Sequence, residues 1–178
     1  MRKGKSVTVI RQLEVVECGA ASLGMILAYH KKWLPLEQLR KDCGVSRDGC
    51  SAKQIILAAR NYGMDANAYR LDEEQLRQMT PAIIHWNFNH FLVYKGKKGK
   101  YHYLNDPGRG DVTVTQEEFD KAFTGIAIVC TPNEKFERGG SRASILGFVK
   151  RRLKNTWAAA FFIFVTGLLT ALIGITTP

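Results

Sequence analysis

The stretch RQLEVVECGAASLGMILAYH, residues 11–30, joins an acid-containing lead-in to a run of small and apolar residues, with Cys18 at the joint. From Cys18 onward small and apolar side chains lie nearly all round, Leu23, Met25, Ile26, Leu27 and Tyr29 among them, which predicts a helix buried centrally in a domain. A cysteine in the first turn of such a helix has two readings. It is a small buried apolar residue, or it is a nucleophile, because the unpaired N–H groups of a helix N-terminus favour a thiolate. Gly19 beside it would let a substrate backbone approach and leave the first-turn N–H groups facing a developing oxyanion. The stretch alone leaves both readings open.

Outward from this helix, PLEQLRKDC predicts a second, with Pro35 at an early helical position and Gly44 after its end. SAKQIILAARNYG predicts a third, capped by Ser51 and stopped at Gly63. Beyond Gly63 the pattern changes. DANAYRL alternates, DEEQLRQM offers a short helix with Asp72 and Gln75 as a capping box, and TQEEFDKAF another with Thr115 and Glu118. The runs PAIIHW, HFLVYKG, KYHYLND and GIAIVCT are β-branched and aromatic, and the second and third predict a hairpin through KGKKGK. Helices first and a mainly antiparallel sheet second is an α+β arrangement, with a cleft between the halves as the natural place for a site.

The net charge of +10 is unevenly placed. Residues 135–155 hold seven Lys/Arg (Lys135, Arg138, Arg142, Lys150, Arg151, Arg152, Lys154) against Glu137, so they carry +6 and residues 1–134 only +4. A folded part without a strong basic stripe gives no support to nucleic-acid binding. From Thr156 to Pro178 no residue is charged, and about 20 apolar residues suffice to span a bilayer. The expected organisation is a globular domain over 1–134, a basic linker and juxtamembrane segment over 135–155, and a first transmembrane helix over 156–178 that begins a membrane domain the chain does not complete. The basic residues before the span place the domain on the cytoplasmic side of the membrane, where thiols stay reduced. Cys43 and Cys50 lack the companions of a zinc site and read as structural, and no metal is expected.

A Cys nucleophile needs a base, and the histidines are His30, His85, His90 and His102. His30 ends the same helix, more than three turns away at ~1.5 Å per residue. His90 opens the strand HFLVY, where a strand mouth faces the cleft, and it leads the others only modestly. If Phe91 to Lys95 pairs with Lys100 to Leu104, Asn105 or Asp106 comes next to His90 and could orient it. Taken alone, Asp106-Pro107-Gly108 reads better as only a turn.

The motifs QLEVVECG, SLGMILAYH, LRKDCGVSRDGCSAKQIILAARNYGM, HFLVYKG and YLNDPGRG together resemble the N-terminal cysteine peptidase domain of bacterial peptidase-containing ABC transporters, which mature and export bacteriocins, lanthipeptides and related peptides. The resemblance covers Arg11 to about Thr131. It implies a papain-like fold, with Cys18 as nucleophile, His90 as general base and acid, Asp106 as the orienter of His90 and Gln12 as oxyanion donor. The implied substrate is a precursor peptide with an amphipathic helical leader, cut after a Gly-Gly or Gly-Ala pair. The implied assembly is a homodimeric transporter in the bacterial cytoplasmic membrane. The peptidase domain needs no cofactor, ATP and Mg being expected only in a nucleotide-binding domain absent from this chain. The alternative is a domain that binds leaders without cutting them. Glu17 stands where one common form of the motif has Asp, a departure outside the catalytic set.

Overall fold

The computed structural model describes residues 6–141, 156–157, 159 and 161–171. The chain divides into two compact units, one ending at Ser141 and one beginning at Arg142.

The first unit begins with an extended lead-in and a 3₁₀ turn, Val15–Glu17, that runs directly into helix α1, Cys18–Tyr29. Every residue of α1 from Cys18 to Ala28 is buried, so the helix is surrounded on all sides, as its sequence predicts. Its glycines permit that. A Cβ on Gly19 would lie 2.5 Å from Cys50 Sγ and 2.7 Å from Ile55 Cδ1, and one on Gly24 would lie 2.8 Å from Leu39 Cδ1. Those partners come from α2, Leu36–Asp42, from α3, Ala52–Asn61, and from the loop between them. Ser51 caps α3 as expected, its Oγ accepting from Gln54 N–H.

The sheet follows in the order β1-β6-β2-β3-β4-β5, all antiparallel. Its strands are β1 (Met64–Arg70), β2 (Ala82–Trp86), β3 (His90–Lys98), β4 (Tyr101–Asp106), β5 (Gly110–Thr115) and β6 (Phe123–Pro132), with short helices α4 (Glu73–Gln78) and α5 (Gln116–Ala122) interposed. Two apolar clusters hold it. One packs Leu23, Ile26, Leu27, Leu39 and Ile55 against Ile83, Val93 and Ile128. The other places Phe119, Leu76 and Trp86 with Ile84, Leu92, Tyr94 and Leu104. This is the expected α+β arrangement of helices and antiparallel sheet, with β5 as a strand that the sequence reading passed over.

The β3–β4 register differs from the expected one. Val93, not His90, stands opposite Asn105, and a bulge between Tyr94 and Gly96 shifts the pairing to Lys98↔Tyr101. Strand β3 runs further into the Lys/Gly-rich segment than composition suggests, to Lys98, and Gly99, at φ +60°, supplies the left-handed residue of the tight turn into Tyr101.

Residues after β6 return to the helical half. Phe136 packs against the first cluster, and Trp33 N–H donates to Gly139 O at 2.8 Å while Gly139 N–H donates to Lys31 O at 3.1 Å. In the second unit, the described residues 156–157, 159 and 161–171 are helical. Among the described residues no helix is long and apolar enough to cross a membrane. The rest of the span expected over 156–178, and segment 142–155, lie outside the described residues.

Candidate active site

The lead-in to Cys18 is folded by a buried carboxylate. Glu17 is fully buried, and its Oε2 accepts from the N–H groups of Leu13 at 2.6 Å and Glu14 at 2.9 Å. Its Oε1 lies 3.0 Å from Arg40 Nε on α2. One acid therefore closes the loop that separates Gln12 from Cys18, a role the sequence reading did not give it. A buried acid has to find donors, and those closest in the chain are the free N–H groups ahead of the turn.

On the sheet side, His90 is the first residue of β3 and Asp106 the last of β4. His90 Nε2 lies 3.0 Å from Asp106 Oδ1, and the ring interacts electrostatically with Cys18. With Nε2 taken by Asp106, Nδ1 is the nitrogen left for the thiol. Ser22 Oγ on α1 donates to Phe91 O at 3.2 Å, tying the nucleophile helix to the strand that carries His90. Asp106 is further held by the N–H groups of Gly108 at 2.8 Å and Arg109 at 3.3 Å and by Arg109 Nε at 2.9 Å.

The electrostatics of the three groups interlock. Burial alone pushes the Cys18 thiol up, but the interaction with His90, together with backbone groups of Phe91 and Gly19, outweighs it and brings the thiol below its ordinary value. Burial alone lowers His90. The Asp106 and Cys18 interactions win and raise it to about 9. Burial opposes ionisation of Asp106 too, yet its bonds from His90, Arg109 and Gly108 hold it well below the usual carboxylate range. All three shifts favour a thiolate beside an imidazolium.

The other thiols go the opposite way. All four cysteines are free. Burial pushes Cys43 and Cys130 up to about 12, and burial with the charge of Cys18 pushes Cys50 up to about 11. Among the described residues no cluster of three or more His, Cys, Asp or Glu is placed to hold a metal.

Gln12 lies at the mouth of the same site. Its N–H donates to Pro107 O at 3.1 Å, and a Cβ on Gly108 would stand 3.7 Å from its Nε2. Its Oε1 is buried with no hydrogen-bond partner. The structure thus brings Cys18, His90 and Asp106 together and seats Gln12 against the Asp106–Gly108 loop. His85 instead faces Thr124 Oγ1 at 3.2 Å, and His102 faces Tyr94 and Gln116. Sequence reasoning missed Arg109. The signal was available only in part, since RG after NDPG carries a cation at a turn but says nothing of which carboxylate it meets.

The peptidase C39 family matches residues 6–135, a range that contains all four site residues. The chain belongs to the peptidase C39 family. Relatives of this C39 domain include the colicin V secretion/processing ATP-binding protein CvaB of Escherichia coli, 36% identical over 77% of this chain and 20% of its own length. Another is the lactococcin-G-processing and transport ATP-binding protein LagD of Lactococcus lactis subsp. lactis, 28% identical over 78% of this chain and 21% of its own length. The chain thus spans about a fifth of the length of the relatives it matches. Among solved structures, the C39 domain is 58% identical to a double glycine motif protease from an AMS/PCAT transporter, solved in complex with the leader peptide. That match covers 75% of this chain and 96% of the other, with a TM-score of 0.71. The peptidase domain of Streptococcus ComA shares the fold, with 22% identity, a TM-score of 0.68 and coverage of 72% of this chain and all of that one.

Proposed function

We propose that this C39 domain is a cysteine endopeptidase that removes the leader of a bacteriocin-type precursor after a Gly-Gly or Gly-Ala pair. Residues 1–134 are the peptidase domain in this reading and 135–155 a basic linker. Residues 156–178 are the first transmembrane helix of a homodimeric exporter, with the peptidase on the cytoplasmic face of the membrane. The observation that carries the proposal is the contact chain from Cys18 through His90 to Asp106, closed by the 3.0 Å Nε2–Oδ1 pair.

Chemically, Cys18 Sγ attacks the carbonyl of the second residue of the small pair. The oxyanion is met by the Gln12 side-chain amide and by N–H groups at the head of α1. The His90 imidazolium gives its proton to the leaving amine, and a thioester to Cys18 remains. Neutral His90 then takes a proton from water, the hydroxide equivalent releases the leader acid, and thiolate and imidazolium are restored. In this reading the requirement for small residues at the cut comes from a cleft too narrow at Cys18 for larger side chains. The leader docks upstream as an amphipathic helix, and tethering to the membrane raises cargo concentration at the pore.

The test is incubation of the 178-residue chain with a double-glycine precursor, read by mass spectrometry. A free leader acid ending at the small pair, absent with Cys18→Ala, is expected. Binding without cleavage would instead identify a leader-binding module, and an acylated amine product a transferase.

A further inference from the structure

The two oxygens of Asp106 are used differently. Oδ1 faces His90 Nε2 and two backbone N–H groups, whereas Oδ2 faces Arg109 Nε at 2.9 Å. The Asp106 side chain is 4% exposed and that of Arg109 65%, so the cation reaches the buried carboxylate from solvent. A guanidinium at one oxygen withdraws part of the negative potential that the other presents to the imidazole. Its loop is also fixed by the N-terminal lead-in, where Arg11 Nη1 donates to Gly108 O at 2.6 Å and Gln12 N–H to Pro107 O.

We propose that Arg109 is a positioning residue that sets the pH range in which the Cys18–His90 pair is competent, by dividing the Asp106 carboxylate between itself and the imidazole. The proposal deepens the peptidase reading and rests on it only for turnover. The charged and titratable groups facing the set are Cys18, with Cys50 beside it, from the helical half, and His90 and Asp106 from β3 and β4. Arg11 comes from the N-terminal lead-in packed against the Asp106–Gly110 loop, and Arg109 from within that loop. Among the described residues Arg109 is the one Lys or Arg paired with Asp106. Removing this cation disfavours the thiolate and favours the imidazolium, so both ionisations move to higher pH.

Arg109→Gln and Arg109→Lys in the 178-residue chain test this with two readouts. One is the rate of Cys18 alkylation by iodoacetamide against pH, followed by peptide mapping, which requires no peptidase activity. The other is the pH profile of precursor cleavage. Arg109→Gln is expected to raise the alkylation midpoint by about half to one pH unit and to move both limbs of the cleavage profile the same way, while Arg109→Lys keeps the parent midpoint. A midpoint for Arg109→Gln within about 0.2 units of the parent, or an equal shift in Arg109→Lys, overturns the proposal. Should Arg109→Gln lose the native circular dichroism spectrum, the Lys variant decides by itself: the parent midpoint upholds the proposal and a shift of about half a unit overturns it. Failure of the parent chain to cleave would sink the peptidase reading while leaving the alkylation series to judge Arg109.

Discussion

The β3–β4 pair carries two histidines in opposite electrostatic states. His90, at the mouth of β3, is raised to about 9 because Asp106 and Cys18 outweigh the effect of burial. His102, within β4, is fully buried, lies 3.4 Å from Tyr94 Oη and 3.0 Å from Gln116 Oε1, and stacks on Phe119 with ring centroids 4.0 Å apart. There burial prevails over its polar neighbours and the ring is lowered below its ordinary value. A neutral ring with its proton on Nε2 satisfies both contacts. Depth of burial does not mark out the base. A carboxylate bonded directly to the ring, and a thiol whose charge acts on it, do.

The comparison breaks most visibly at His90 itself. His90→Ala is expected to lower kcat for leader cleavage by about 10² to 10⁴-fold and to abolish alkylation of Cys18 near neutral pH, while His85→Ala leaves alkylation unchanged. A variant with an unchanged alkylation profile would move the base elsewhere.

Asp106→Asn comes next, because it leaves His90 a partner but not a charged one. The group that raises His90 is lost, so the falling limb of the cleavage profile moves down from about 9 toward the ordinary histidine value. The active range narrows from its alkaline side, and kcat falls by about 10²-fold or more through loss of the orienting bond. A parent-like range in Asp106→Asn would mean that burial, not the carboxylate, governs His90.

Gln12→Ala should act on rate and not on pH. Its amide is assigned to the oxyanion, so kcat falls by about 10² to 10³-fold with both limbs in place. A shifted profile would place Gln12 with the ionising groups instead.

Much of this was legible in the sequence, for reasons that differ by element. The helix from Cys18 was readable because its apolar residues lie all round, and the caps at Ser51, Asp72 and Thr115 because each capping box is local in sequence. Cys18 and His90 could be named as candidates from helix start and strand mouth, but the residues alone left each with an alternative. The motif resemblance made them a set. Register was not legible, since nothing in the Lys/Gly-rich run fixes where the bulge between Tyr94 and Gly96 falls. Glu17 was read only as a departure outside the catalytic set, and its folding role stayed hidden because its donors, Leu13 and Glu14, are backbone N–H groups that no side-chain pattern announces. Arg109 was hidden for a related cause: its partner is three residues away across a turn whose shape the sequence does not specify.

The smallest effect on chemistry should come from the more buried histidine. His102→Phe keeps an aromatic ring against Phe119 but removes the partner of Tyr94 Oη and one partner of Gln116 Oε1. Stranding buried polar groups costs about 1 to 3 kcal/mol, which urea denaturation would read as a lower midpoint with an unchanged slope. Below the onset of unfolding, kcat and both limbs of the pH profile should match the parent, because neither Cys18 nor Asp106 is bonded to this ring. If turnover fell as far as in Asp106→Asn while the fold stayed intact, the two histidines would belong to one coupled network. The distinction between a charged site at the strand mouth and a neutral one inside the sheet would then fail.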